Sequence, residues 1–264
     1  MNIAVIGAGN MGGSTVLGML KSPSIKATDI VVSDPNKMVL DKFQDKVKVT
    51  TDNSEAADGA DIVMVFVKPW LVEKVLMGIK PVLDYSRQML VVVAAGVKGS
   101  QISEWMRKET DGKLQEPTFF SAIPNIAIEI RKSVTFVVPF NADARQTAKI
   151  KGLFDEMGET FIVEERLLGA GTMLASCGLA YAMRYARAAS EGGVEMGFYP
   201  KDAQKIVLQT MIGAAELLQS SGEHPESAID KVTTPGGITI KGLNAMEHAG
   251  FTSAVIKGLK AGLE

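Results

Sequence analysis

Cysteine and histidine are nearly missing from this chain: Cys177 stands alone, and His224 and His248 are the only two imidazoles in 264 residues. One thiol cannot form an internal disulfide, and its solitary use points to a reducing compartment. With two histidines it also gives no cluster at metal-ligand spacing, so no metal is expected. An excess of one charge is lacking too. The formal net charge of −2 gives no reason to expect nucleic acid or an anionic membrane as partner. No apolar run approaches the ~20 residues that span a bilayer. The first residues carry no basic segment and open directly into a strand pattern, so a secretory signal is not expected. The expected location is cytoplasmic.

What is present is the balance of a globular protein, 46% hydrophobic and 22% charged, long enough for one large or two modest domains. To about Val163, short β-type runs alternate with helical patterns. Strands are expected at Ile3–Ile6, Ile30–Ser33, Val47–Thr50, Ile62–Val67, Met89–Val93, Thr118–Ala122, Val134–Val138 and Thr160–Val163. Helices are expected at Asn10–Leu20, Pro35–Phe43, Trp70–Ile79, Gly99–Arg107 and Asp143–Met157. That alternation predicts βαβ units in a mainly parallel, doubly wound sheet. From Glu164 onward the β signal disappears, and helices are expected at Leu167–Leu174, Cys177–Met196, Asp202–Ser220, Ile238–His248 and Phe251–Leu263. The expected domains are residues 1–163 and 164–264. Many faces of the second half are apolar, more than about 100 helical residues can easily hide alone, so helices from two chains are expected to pack in a dimer, with a tightly packed monomeric core as the alternative. Gly169, Gly171 and Gly178 suggest close backbone approach there.

The first strand runs into Gly7-Ala8-Gly9-Asn10-Met11-Gly12, a G-x-G-x-x-G turn opening a helix. In that context the glycines take separate roles: Gly7 for a tight turn, Gly9 for close approach of a pyrophosphate, Gly12 for helix-on-strand packing. The helix N-terminus adds free N–H groups for the phosphates. Asp34 lies 22 residues after Gly12, near where a carboxylate meets the adenosine ribose hydroxyls, which favours NADH. Ser33, Asn36 and Lys37 on the same turn suit the 2′-phosphate of NADPH instead, and Asp34 alternatively caps the next helix. Both cofactors stay open. Val67-Lys68-Pro69 and Ala94-Ala95-Gly96 follow the fourth and fifth strands and are candidates for the nicotinamide-ribose side, although Lys68 reads equally as a solvated loop lysine.

A second constellation runs from Asp230 through Thr233-Thr234-Pro235-Gly236-Gly237-Ile238-Thr239 to Ile240. It predicts a helix N-terminus ready for an anion, with Thr233 and Thr234 placed to cap it and the N–H groups of Gly237, Ile238 and Thr239 facing the ligand. A plain capped turn fits as well, and Glu223-His224-Pro225 is equally ambiguous.

Together these segments give a chain that resembles the pyrroline-5-carboxylate reductase family almost end to end. The match includes Ile6–Gly12, Val67-Lys68-Pro69, Ala94–Val97, Pro124-Asn125, Gly178 with Ala180-Tyr181, Ser221–Pro225, Asp230–Gly237 with Thr239-Ile240, and Leu243–Val255. The resemblance implies a Rossmann-type domain followed by an all-α dimerisation domain. It implies hydride transfer from NADPH or NADH to the C=N carbon of 1-pyrroline-5-carboxylate, giving proline. Asn125 joins the implied cofactor residues. Glu223, Thr234, Gly236, Gly237, Ile238 and Thr239 would bind substrate, with the Thr239 hydroxyl catalytic at the imine nitrogen. Each site would join one chain's sheet domain to its partner's Pro-Gly-Gly loop, in a homodimer that is able to assemble into a ring such as a decamer. The chain departs from the family pattern at Asn125-Ile126-Ala127, Cys177-Gly178-Leu179 and Ile238-Thr239. A diverged imine reductase and a non-catalytic dinucleotide-binding regulator are the alternative readings.

Overall fold

Strands whose residues are all apolar must be covered on both faces, and the first half of the chain is built that way. In the computed structural model, which describes residues 1–110 and 112–263, Ile3 and Val5 of the first strand enter one core. Ala4 and Ile6 enter the other, on the opposite face of the sheet. The same period-2 division places Ile62, Met64 and Val91 with the first set and Val63, Val65, Leu90 and Val92 with the second.

The strands are β1 (Ile3–Ile6), β2 (Ile30–Ser33), β3 (Lys48–Thr50), β4 (Ile62–Val65), β5 (Met89–Val92), β6 (Lys108–Thr110), β7 (Lys113–Gln115), β8 (Thr118–Ile123), β9 (Ser133–Phe140) and β10 (Gly158–Ile162). Eight of them form one sheet in the order β10-β9-β8-β5-β4-β1-β2-β3. It is parallel throughout except where β9 runs antiparallel to β8. The doubly wound expectation therefore holds, with order reversing beside β1, whose neighbours are β2 and β4. β6 and β7 form a small antiparallel pair that the alternation did not announce.

The helices of this part are α1 (Asn10–Leu20), α2 (Lys37–Leu40), α3 (Asn53–Ala57), α4 (Pro69–Ile79), α5 (Gly99–Met106), α6 (Ala144–Asp155) and α7 (Leu168–Gly171). Two expectations need correction. Pro35–Phe43 is not one helix: after four residues the chain turns, with the Phe43 and Lys46 N–H groups donating to Leu40 and Phe43. That turning buries Leu40, Phe43 and Val47 in the same core. Leu167–Leu174 is also not continuous, because α7 gives way to a π-helical turn, Thr172–Cys177. There the Ala175 carbonyl accepts a hydrogen bond from Asn125, and a Cβ on Gly171 would lie 2.7 Å from the Phe136 ring.

The chain divides into two units, Met1–Ser176 and Cys177–Glu264. The second contains α8 (Gly178–Glu195), α9 (Pro200–Ser221), α10 (Pro225–Lys231), α11 (Ile238–His248) and α12 (Phe251–Lys260). α8 and α9 pack together where a Cβ on Gly193 would meet that of Ala203 at 3.0 Å. Among the described residues of this unit, only Gly193 and Ala203 are buried. Met183, Ile212, Leu217, Phe251 and Ile256 are all exposed, so the unit leaves most of its apolar side chains uncovered.

Candidate functional site

Parallel strands bring their carboxyl ends to one edge, and ligands of open α/β sheets sit there, beside the strand where the order reverses. That edge collects Gly7–Gly12 after β1, Asp34 after β2, Val67-Lys68-Pro69 after β4, Ala94-Ala95-Gly96 after β5 and Asn125 after β8. All five segments singled out in the sheet half lie at this edge.

The glycine loop has the geometry its spacing implies. Gly7 takes φ +92°, and a Cβ on it would lie 2.4 Å from the Phe66 carbonyl oxygen. A Cβ on Gly12 would lie 1.9 Å from the Gly7 carbonyl oxygen, so α1 is seated directly on the turn. At Gly9 nothing comes within 4 Å. Gly9 is the N-cap of α1, and no side chain caps that helix. The space in front of the first-turn N–H groups is open, and a side chain would fill it. A dinucleotide pyrophosphate fits such a cradle.

Asp34 turns towards the loop. Its Oδ2 accepts a hydrogen bond from the Ala8 N–H at 2.9 Å, and its Oδ1 accepts one from the Asn36 N–H at 2.9 Å. The cap of α2 is Asn36, which accepts from the Met38 N–H, so Asp34 does not cap that helix. Ser33 departs from expectation: it is fully buried and its hydroxyl donates to Asn53 at 2.6 Å, leaving nothing to offer a phosphate. Lys37 is exposed on the same turn. Asn125 is buried, and its side chain accepts from the Ala127 N–H and donates to the Ala175 carbonyl. Its position at the edge stands, with one amide N–H engaged within the protein. Lys68 and Pro69 open α4 and are exposed, as are Ala95 and Gly96.

Two supporting residues escaped the sequence reading. Asn53 holds Ser33, and Glu165 accepts from the Gly99 N–H at 2.6 Å, fixing the start of α5 just beyond the Ala94–Val97 loop. Their partners lie 20 and 66 residues away in sequence, so no local pattern marks them.

In the helical unit, the Thr234-Pro235-Gly236-Gly237 segment closes as a four-residue turn. The Gly237 N–H donates to the Thr234 carbonyl at 2.9 Å, and Gly236 takes φ +71°, a backbone that favours glycine. This corrects two expectations. The Gly237 N–H is used inside the turn and is not offered to a ligand. Neither threonine caps α11: its N-cap is Gly237 with no side-chain cap, and the Thr233 hydroxyl donates back to Asp230. The first-turn N–H groups of Ile238 and Thr239 therefore stay unspent, and both residues are exposed. Glu223 is paired with Lys231 at 2.6 Å, and the His224 Nδ1 accepts from the Glu226 N–H as the cap of α10.

A doubly wound sheet with an open glycine cradle at its switch point, followed by a helical unit in which α11 starts uncapped, is the architecture of a dinucleotide-binding protein of the Rossmann class. Comparison narrows the class. Residues 165–264 match the family model for pyrroline-5-carboxylate reductase dimerisation, and residues 2–96 match that for NADP oxidoreductase coenzyme F420-dependent. Pyrroline-5-carboxylate reductase 2 of Dictyostelium discoideum is 33% identical over 98% of this chain and 89% of its own length. Pyrroline-5-carboxylate reductase 1 of the same organism is 35% identical over 97% of this chain, which spans about half (48%) of that protein. A solved pyrroline-5-carboxylate reductase from Coxiella burnetii superposes with a TM-score of 0.88 at 26% identity, over 99% of this chain and 95% of that one. The chain belongs to the pyrroline-5-carboxylate reductase family. Its helical unit is a dimerisation domain, and the protein is an oligomer.

Proposed function

We propose that this chain reduces 1-pyrroline-5-carboxylate to L-proline with NADPH or NADH, the last step of proline biosynthesis. Residues 1–163 serve as the dinucleotide-binding domain and residues 164–264 as the dimerisation and substrate domain, a division supported by the family match that begins at residue 165. The cofactor supplies a hydride. Gly7, Ala8, Gly9, Asn10, Met11 and Gly12 hold its pyrophosphate, Asp34 and Lys37 flank its adenosine ribose, and Val67, Lys68, Pro69, Ala94, Ala95 and Gly96 border its nicotinamide side.

The observation that carries the substrate reading is the uncapped start of α11 behind its Pro-Gly-Gly turn. A substrate carboxylate rests on the Ile238 and Thr239 N–H groups, which also present the positive end of the helix dipole. The Thr239 hydroxyl, which makes no hydrogen bond among the described residues, meets the imine nitrogen. A protonated iminium takes the hydride at carbon and keeps its proton on nitrogen, so no strong acid is required. Glu223, Thr234 and Gly236 shape the loop. Holding donor and acceptor carbons ~3–3.5 Å apart supplies much of the acceleration.

The active assembly is a cytoplasmic homodimer in which one chain's sheet domain works with its partner's loop, able to build further into a ring such as a decamer. The test is reduction of pyrroline-5-carboxylate followed with each reduced cofactor. Proline formation with neither would refute the assignment.

A further inference from the structure

Resting on the dinucleotide reading above, we infer that Asp34 makes this chain selective for NADH over NADPH. The turn after β2 offers a 2′-phosphate four polar side chains, and the structure commits one of them elsewhere and sets another against it. The Ser33 hydroxyl is buried on Asn53. The Asn36 side-chain oxygen caps α2, so this residue has only a neutral amide to offer the phosphate and no charge. Asp34 is an anion held from two sides, by the Ala8 N–H of the glycine loop and the Asn36 N–H, each at 2.9 Å. A carboxylate on a free stem would swing aside for an incoming phosphate. This one leaves only by giving up both bonds, and the one to Ala8 ties it to the loop that carries the pyrophosphate.

Lys37 is the single cation of the turn, and it is exposed, so solvent weakens its pull. A half-buried, fixed carboxylate set against a solvated, mobile lysine gives a net repulsion to the 2′-phosphate. The unmodified ribose hydroxyls of NADH instead find an acceptor already in place. Selection here acts by exclusion of the phosphate, and it runs against the cofactor named in the family model that matches residues 2–96.

The experiment measures dissociation constants of NADH and NADPH by titration calorimetry for the whole protein and for Asp34→Asn. Asparagine keeps the shape and one acceptor but removes the charge. The wild-type protein is expected to bind NADH at least about tenfold more tightly than NADPH, the size of one like-charge contact that solvent still largely screens. In Asp34→Asn the ratio should fall towards one, chiefly because NADPH binds more tightly. Asp34→Ser serves the same end should the amide disturb the loop, with melting temperature as the check on folding. Equal or tighter binding of NADPH by the wild type, or an unchanged ratio in both folded variants, overturns this inference alone. Binding of neither cofactor to the folded protein overturns the dinucleotide reading and the inference with it.

Discussion

Replacing Gly9 by valine should separate cofactor binding from folding. Gly9 has φ −62° and ψ −165°, a backbone open to any residue, and a Cβ there meets no atom within 4 Å. No packing is lost, and exchanging glycine for an aliphatic residue at a helix N-cap costs about 1 kcal/mol. The new side chain stands over the first-turn N–H groups that the pyrophosphate must reach. Losing two hydrogen bonds to a charged phosphate, at roughly 1.5–3 kcal/mol each, weakens binding at least ~100-fold. Gly12→Ala is the contrast. Its smaller Cβ would lie 1.9 Å from the Gly7 carbonyl oxygen and 3.0 Å from the Phe66 Cβ, so α1 must move off the sheet. Calorimetric titration with reduced cofactor and thermal unfolding should therefore give opposite rankings: Gly9→Val folded but non-binding, Gly12→Ala strongly destabilised. A folded Gly9→Val protein that binds with wild-type affinity would refute the placement of the pyrophosphate.

Thr239→Val keeps side-chain shape and removes the hydroxyl, so it should lower kcat at nearly unchanged cofactor affinity, read from steady-state kinetics beside calorimetry. Mixed under subunit exchange, Gly9→Val and Thr239→Val proteins, each impaired alone, should show more activity than either parent, since some mixed dimers hold one site with both halves intact. Confirmed exchange without recovered turnover would mean that each chain builds its own site. Far from the site, the buried Gln88 amide donates to the Ala57 and Ala60 carbonyls at 2.8 and 2.6 Å, while its carbonyl accepts from the Asp84 N–H. Gln88→Leu leaves the Asp84 N–H without its partner and the two carbonyls with only long bonds, from the Ala60 N–H at 3.3 Å and Arg87 at 3.4 Å, and should cost roughly 1–3 kcal/mol, seen as a lower urea midpoint at unchanged slope.

The parallel sheet was legible because strands such as Ile62–Val65 are apolar at every position, and the glycine loop because its spacing sits between a strand and a helix. What local pattern left open was which polar side chains stay free. Ser33 has the right chemistry at the right edge, yet Asn53 claims its hydroxyl across 20 residues, and Ala175 takes one amide N–H of Asn125 across 50. The same holds for Gly237, whose N–H faces inward because the turn that Gly236 permits needs it. The early end of α2 was hidden for another reason: Phe43 satisfies a helical period, but burying it beside Val47 takes a tighter turn. Motif spacing locates the edge of a site, whereas hydrogen-bond competition from distant segments decides what remains to bind.

A helical unit in which Gly193 and Ala203 are the only buried residues among those described has almost no interior to melt. Its cooperative unfolding must draw on apolar surface that a second chain covers, so dissociation and denaturation become one equilibrium. Thermal midpoints should then climb with protein concentration. Dilution alone, with no denaturant, should loosen α8 to α12 while the doubly covered sheet persists, and hydrogen exchange at falling concentration would show the helices losing protection first. For such a protein, the amount made sets how much of it is folded.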